Sequence, residues 1–565
     1  PPVAVRKPDQ KGGVAVIAAA DEISGFNPLL SNDPSSLRVI SLIYSGMFKR
    51  DAHTGMLACD LCETWQMSGD TISLTIQSGA EWSDSQPITV DDFIYTYAAL
   101  MWAEASGGLN TPQLEMVAPI ESMEKIDDYQ VVVELRDSDC TSLKVLTLPW
   151  LPRHIYCPHC EDELDTLLTR EILLDSVDDT AFTGIPSNES NEAPRVASGP
   201  FQYYDWVPGD HVTLHRNPRY WQGESYLDGL LIRFAPDLAE QSRLIRTGEV
   251  DLIENIPAES LSRVELANNA SVKQVPDDSY YYLAFQLGDP ENPQSRFFEN
   301  EATGVQVLND EHGDHPILSD LRVRQAIALG IDKNAIISEA EAGQGIPMTG
   351  NMIPSIQWAY NQDLEVLGPD LETADQLLNA AGWQLDSDTG LRQRDGQELA
   401  LTLVVNESSE KRTRIARLIA EQLGVIGINV NLSALEWGPF TGKLLGQEFD
   451  LAVMSWTDIS LGMEDFDRHI FHSSSDVPLL GHNFVSYHNV ELEEKWETAS
   501  TIDGCRWADR AVLYQQVQRM LYDDLPYVWL YSPLRSVGIS DRLIGVDPGS
   551  WGIDSNIMQW SLDNN

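Results

Sequence analysis

With 565 residues, the chain is too long for one ordinary hydrophobic core, and two or three domains are expected. Hydrophobic residues at 42% and charged residues at 22% are ordinary globular values and exclude a disordered chain. No apolar run approaches the roughly 18 residues that a bilayer-spanning helix requires. The charge balance, 37 basic against 87 acidic residues for a net −50, disfavours nucleic-acid phosphates and anionic membranes as partners, because both are held by Lys and Arg. Lys is scarce, 10 beside 27 Arg. A dense acidic surface with little Lys fits salty surroundings, where screening relieves self-repulsion; compositional bias of the source lineage is the competing account.

Taken in chain order, residues 1–11 are polar and rich in Pro and Lys, which is linker chemistry. No signal-peptide pattern is visible, so compartment must be inferred from other features. Val14 to Ala20 reads as a buried strand. Thr71 to Ile76 alternates polar and apolar as a half-buried strand does, and Gln130 to Leu135 is a second strand. Between them Thr89-Val90-Asp91-Asp92 forms a capping box with Asp in the Glu position, opening a helix that sets Phe93, Tyr97, Leu100 and Met101 on one face. Ala374, Leu377, Leu378 and Ala381 follow helical spacing until Gly382 stops them. Leu399 to Val405 predicts a strand, Ile415, Leu418, Ile419 and Leu423 a helix broken by Gly424 and Gly427, and Ile428 to Leu432 a second strand. Joined this tightly, they make a right-handed βαβ crossover and a parallel pair. The class is therefore α/β, and ligands of open α/β sheets bind in a crevice beyond the strand ends.

Six cysteines stand at 59, 62, 140, 157, 160 and 505. The two CxxC motifs, Cys59/Cys62 and Cys157/Cys160, are compatible with disulfides of an exported protein or with a four-cysteine zinc site, and either arrangement is expected to join 59/62 to 157/160. His312, Asp314 and His315 lie in a Gly/Asn/Asp-rich loop and read as solvated rather than metal-binding. No G-x-S-x-G, H-E-x-x-H or P-loop pattern occurs, so no catalytic residue, cofactor or metal is assigned, and a peptidase is only a distant alternative.

An ordered set of segments carries a family resemblance: Phe26-Asn27-Pro28-Leu29, Leu42 to Phe48, Leu61 to Trp65, Glu81 to Phe93, Leu151 to Tyr156, Ser198 to Phe201, Arg216 to Trp221, Gly248 to Leu252, Leu318 to Ile327, Ala380 to Trp383 and Asp524 to Tyr527. Together they resemble the extracellular solute-binding proteins, family 5, which serve oligopeptide and dipeptide ABC importers. The resemblance implies a two-lobed periplasmic-binding-protein (Venus-flytrap) fold of the large peptide-binding type with an extra inserted domain. Domain I would comprise 12–50, 176–278 and 531–565, the inserted domain II 51–175, and domain III 279–530, with ligand held between domains I and III. It further implies an exported, periplasmic or cell-surface monomer that delivers a small ligand, a short peptide first and an oligosaccharide or nickel chelate second, to a membrane permease with its ATPase subunits. Trp65, Trp82 and Trp221 are expected to pack the scaffold, Gly199 and Pro200 to fix a turn, and Arg322 and Arg324 to make structural pairs.

In that family a carboxylate just past a domain III strand receives the peptide's amine. Here the strand ends at Ser455-Trp456-Thr457, which makes Asp458 the leading candidate and Asp465 the alternative, because the family's usual continuation is replaced by Ile459 to Asp465. Trp437 occupies a near-ligand position and is equally compatible with core packing. Of Tyr280, Tyr281 and Tyr282, at least one should leave the sheet towards the ligand, since strand side chains alternate. Asn32, Asp33 and Ser36 are placed on the domain I side. If the acidic surface is an adaptation to salt, the melting temperature rises between low salt and molar sodium chloride; a flat or falling trend in a thermal melt leaves compositional bias as the account.

Overall fold

A computed structural model describes residues 12–106, 113–157, 168–169, 193–300, 305–309, 311–457 and 468–563. The chain divides into two compact units. The first comprises 1–275, 501–506 and 535–565; the second comprises 276–500 and 507–534.

The first unit is built on strand Val14–Ala19, which pairs in parallel with Gly229–Phe234 on one side and Leu252–Ile253 on the other. Beyond Gly229–Phe234 the sheet continues antiparallel through His211–Arg216 to Phe201–Val207. A second, antiparallel sheet runs in the order Cys62–Ser68, Thr71–Ile76, Gln130–Leu135, Ile120–Asp127, Leu168–Thr169. The expected strands at 71–76 and 130–135 are present with those bounds. The capping box forms as read: Asp92 Oδ2 accepts from the Thr89 N–H at 3.1 Å, and Phe93, Tyr97, Leu100 and Met101 of helix Val90–Ser106 are all buried. Asp92 also accepts from Trp82 Nε1 and from the backbone N–H of Arg153. The start of its own motif and the segment from Leu151 to Tyr156, some 60 residues on, are thus anchored on one carboxylate, which burial pushes up to about 6 despite these donors.

The turn at Gly199 shows why that motif needs glycine. A Cβ there would lie 2.6 Å from the carbonyl oxygen of Leu42, while Asn217 Nδ2 donates to the Gly199 carbonyl at 2.9 Å. Trp82 is fully buried, and Trp65 and Trp221 pack against the same core, as scaffold residues should.

The cysteines depart from expectation. Cys59 is bonded to Cys62 within one turn, their Cα atoms 4.8 Å apart, and Cys140 to Cys505 across 365 residues. The expected bridge from 59/62 to 157/160 is therefore wrong: the two residues between Cys59 and Cys62 bring their sulfurs together locally, which leaves no thiolate there for zinc. Cys157 is disulfide-bonded as well; Cys160 lies outside the described residues.

In the second unit the predicted crossover is present. Ala400–Asn406 and Asn429–Leu435 are parallel and in register over seven residues, joined by helix Glu410–Val425, and Gly427 adopts φ 82° where the helix turns back. Leu451–Trp456 joins as a third parallel strand, followed by antiparallel Tyr280–Phe285 and then Tyr527 to Tyr531. One face of this sheet carries aliphatic side chains, including Leu283, Leu401, Leu403 and Val453, against which Ile419 of helix Glu410–Val425 packs. The other carries an aromatic layer in which Tyr282 stacks on Tyr527 at 4.3 Å, with Phe471 4.9 Å from Tyr527. Helix Leu371–Ala380 stops before Gly382, at φ 88°. Arg322 pairs with Asp320. Arg324 bonds carbonyls rather than acids, those of Leu318, Ser319, Asp524 and Leu525, and so ties helix Leu321–Gly330 to the Asp524-Leu525 turn.

Lys333 opens helix Lys333–Glu341 with its side chain 4% exposed and its Nζ donating to the Met348 carbonyl at 2.8 Å. Burial pushes its pKa down to about 7 from an ordinary 10.5. Between those values the unfolded chain binds more protons than the folded one, so stability rises with pH through that window. Lys333→Met removes the buried charge and is expected to stabilise by about 1–4 kcal/mol at pH 7. The gain over wild type shrinks as pH approaches about 10.5; urea unfolding at a series of pH values reads both effects.

Candidate functional site

The C-terminal ends of the three parallel strands in the second unit define one edge of its sheet, and open α/β sheets receive ligands at such edges. Asn406, Leu435 and Trp456 end these strands. Helix Glu410–Val425 begins at this edge with Ser409 as its cap, Oγ accepting from the Arg412 N–H. Helix Trp437–Leu445 begins here too, so Trp437 is held at a first helical position with 51% of its surface exposed. Core packing, one of the two readings of Trp437, is thereby removed. Thr457 is exposed and Trp456 half-buried.

The antiparallel register sets Tyr280 opposite Trp456 and Tyr281 opposite Ser455. Alternation then sorts the three tyrosines. Tyr280 and Tyr282 are fully buried in the aromatic layer, where Tyr282 stacks on Trp456 at 6.2 Å. Tyr281 lies on the opposite face, half-buried, stacked on Tyr531 at 4.9 Å with Lys411 Nζ 5.5 Å above its ring. Burial raises the Tyr281 pKa, with the Lys411 cation opposing. Lys411 is itself neutralised by Glu341, 2.8 Å away, which also accepts from the Tyr531 hydroxyl at 2.9 Å.

Arg412 differs from its neighbour. Its Nη2 donates to Ser455 Oγ at 2.9 Å, and among the described residues no carboxylate pairs with it. A half-buried guanidinium in the first turn of a helix, where the backbone adds partial positive charge, is suited to receive an anionic group. Sequence reading did not single out Arg412, Lys411, Glu341 or Tyr531. The signal was available for Arg412, since the first turn after a strand of a βαβ unit lies at the crevice edge. Asp458 and Asp465 lie outside the described residues.

In the first unit the corresponding loop follows strand Val14–Ala19. Asp33 caps helix Pro34–Ile43, accepting from the Ser36 N–H at 2.8 Å and the Ser24 hydroxyl at 2.5 Å. Burial works against its carboxylate, but the Ser24 and Ser36 hydrogen bonds hold its pKa below the ordinary value. Ser36 is buried, with Oγ accepting from the Ser24 N–H at 2.7 Å. Both side chains thus have local structural partners, whereas Asn32 is exposed. His312, Asp314 and His315 do not converge: His315 bonds Asp450 at 3.0 Å and Asp314 pairs with Arg296. Among the described residues no group of His, Cys, Asp and Glu is arranged to hold a metal.

Two units, of which one presents three parallel strand ends rimmed by aromatic and cationic side chains, have the architecture of an α/β solute receptor. The chain belongs to the bacterial extracellular solute-binding proteins, family 5, whose middle-region model matches residues 57–476. It is similar to the oligopeptide-binding protein AppA of Bacillus subtilis, 26% identical over 567 aligned residues that cover 98% of this chain and 92% of the relative. The structure of that AppA in complex with a nonapeptide superposes with a TM-score of 0.60 at 25% identity, over 98% of this chain and 100% of the other. NikZ of Campylobacter jejuni in complex with Ni(L-His) shares the fold, with a TM-score of 0.62 at 21% identity over 97% and 99% of the two chains.

The register separates scaffold from rim in a measurable way. Tyr282→Ala empties a buried aromatic site and should cost about 3–5 kcal/mol. Trp437→Ala, at an exposed position, should leave stability within about 0.5 kcal/mol. Denaturant unfolding of both variants checks the contrast.

Proposed function

We propose that this chain is the solute-binding protein of a peptide-type ABC importer, exported and monomeric, which captures a short peptide without catalysis and passes it to a membrane permease with its ATPase subunits. The observation that supports this most is likeness over 98% of the chain to an oligopeptide-binding protein, one whose solved structure holds a nonapeptide. The rim of the second unit suits such a ligand. A strand end at Ser455-Trp456-Thr457 offers backbone groups for strand-like pairing, and Trp437 and Tyr281 offer aromatic walls. Arg412 offers a fork for a carboxylate. Asp458, the residue after exposed Thr457, is assigned the peptide's amine, with Asp465 as the other recipient; these two assignments rest on the sequence alone. Asn32 is the first unit's candidate.

Mass spectrometry of small molecules released when gently purified protein is denatured tests the ligand class: peptides are expected, and a sugar or a nickel chelate in their place overturns the reading. For the amine site, Asp458→Ala should weaken binding of a captured peptide by roughly 2–5 kcal/mol, as loss of one partner of a buried charged pair does. N-acetylation of the peptide should weaken binding to wild type similarly and add little in the variant. Calorimetry on the four combinations measures the coupling. If acetylation hurts and Asp458→Ala does not, Asp465 holds the amine.

A further inference from the structure

The connection 501–506 belongs to the first unit, whereas the chain on both sides of it, up to Ser500 and from Trp507 onward, belongs to the second. The chain consequently passes between the units at 275/276, 500/501, 506/507 and 534/535, and the middle two passages exist only because of this connection. A link between helices Val490–Thr501 and Trp507–Asp524 needs nothing so elaborate, since short loops ordinarily join helices directly.

Several independent contacts hold the connection in place. Cys505 is bonded to Cys140, which opens the 3-10 helix Cys140–Thr147, and both are buried, at 1% and 2% exposure. Asp503 Oδ1 accepts from the Gly69 N–H at 3.3 Å, in the turn between strands Cys62–Ser68 and Thr71–Ile76. Ile502 packs on the first unit's core, and Met67 Sδ lies 3.3 Å from Cys505 Sγ. Gly504 turns the chain at φ 74°, and Cys505, which is not glycine, follows at φ 48°. A left-handed residue with a side chain persists where its surroundings over-determine it, as the disulfide and the packing do here.

We propose that Cys140–Cys505 is a covalent strap that fixes the 501–506 connection to the rest of the first unit and thereby limits how far the two units move apart. Hinge motion in multi-unit receptors is absorbed by a few residues at the crossings. With the strap closed, the passages at 500/501 and 506/507 are anchored to a buried point and add a restraint to those at 275/276 and 534/535. With it open, the connection loses its covalent anchor and keeps only non-covalent contacts, among them the Asp503–Gly69 hydrogen bond and the packing of Ile502 and Met67.

The test uses ligand-free full-length protein, so its result does not depend on which solute is bound, and a failure of the peptide reading leaves it standing. Small-angle scattering compares wild type with Cys140→Ala/Cys505→Val, a pair that keeps buried apolar contact. The expected result is a larger radius of gyration and a broader distance distribution for the double variant at a temperature where circular dichroism shows both proteins folded. Hydrogen exchange should rise in residues 501–506 of the variant. A lowered melting temperature with unchanged scattering and unchanged exchange would mean that the disulfide acts on stability only, and the strap is overturned. If the variant does not fold, the same scattering comparison is made on wild type before and after reduction, with alkylation and peptide mapping to show that Cys140 and Cys505 have opened. An unchanged radius in that sample overturns the proposal equally.

Discussion

The pairing of Tyr280–Phe285 with Leu451–Trp456 is the constraint on which the candidate site depends. Six residue pairs in register fix which end of the strand meets which, and a one-residue slip would exchange every side chain between faces. Tyr282 and Trp456 would then leave the aromatic layer, and Tyr281 would lose both Tyr531 and Lys411. Burial enforces the register from both sides at once, because one face must keep Leu283 and Val453 in the aliphatic core while the other keeps Tyr280 and Tyr282 among rings. Neither requirement tolerates the alternative. The position of Ser455 opposite Tyr281, and hence of the Arg412 guanidinium beside it, follows from packing rather than from any local preference at the rim.

Much of this was legible in the sequence, for identifiable reasons. The βαβ unit at 400–435 was readable because its first strand is largely apolar and its second alternates, its helix keeps a 3.6-residue stripe, and Gly427 marks the turn where the chain returns. The capping box at Thr89–Asp92 was readable because a cap is a contact between residues three apart. The motifs around Gly199 and Asn217 were recognisable as a pattern, but their reason, a glycine against the Leu42 carbonyl, is a tertiary close approach that spacing does not disclose.

What escaped was whatever depended on distance in space. Cys140 and Cys505 are 365 residues apart, and nothing in their neighbourhoods announces a partner, whereas the CxxC spacing at Cys59 and Cys62 marked a pair that closes on itself. Alternation predicted that the three tyrosines would divide between faces but not which face is the open one, because that depends on what covers each. Asp33 and Ser36 also admit a purely local reading. Asp33-Pro34-Ser35-Ser36 is a helix start, with a capping side chain and proline in the first turn, and this local reading accounts for both side chains without a ligand.

The charge of the chain gives the rim its chemical meaning. At −50, most of the surface repels a carboxylate, and the few lysines are largely committed: Lys411 to Glu341, Lys125 to Asp91, Lys49 to Asp60, and Lys333 to a buried carbonyl. A ligand bearing a carboxylate therefore needs a cation that the protein has not already neutralised, and Arg412 meets that requirement among the described residues at the strand ends. Guanidinium suits the position better than ammonium because it is more weakly hydrated and keeps a planar fork after one arm is spent on Ser455. Screening shortens the repulsive field to about 10 Å at 0.1 M salt and about 3 Å at 1 M, whereas a contact made at hydrogen-bonding distance inside a crevice is weakened far less. Salt would therefore remove the obstacle to approach without removing such a contact, so that an acidic chain with a guanidinium free of carboxylate partners among the described residues at its strand ends would select a carboxylate by contact rather than by long-range attraction.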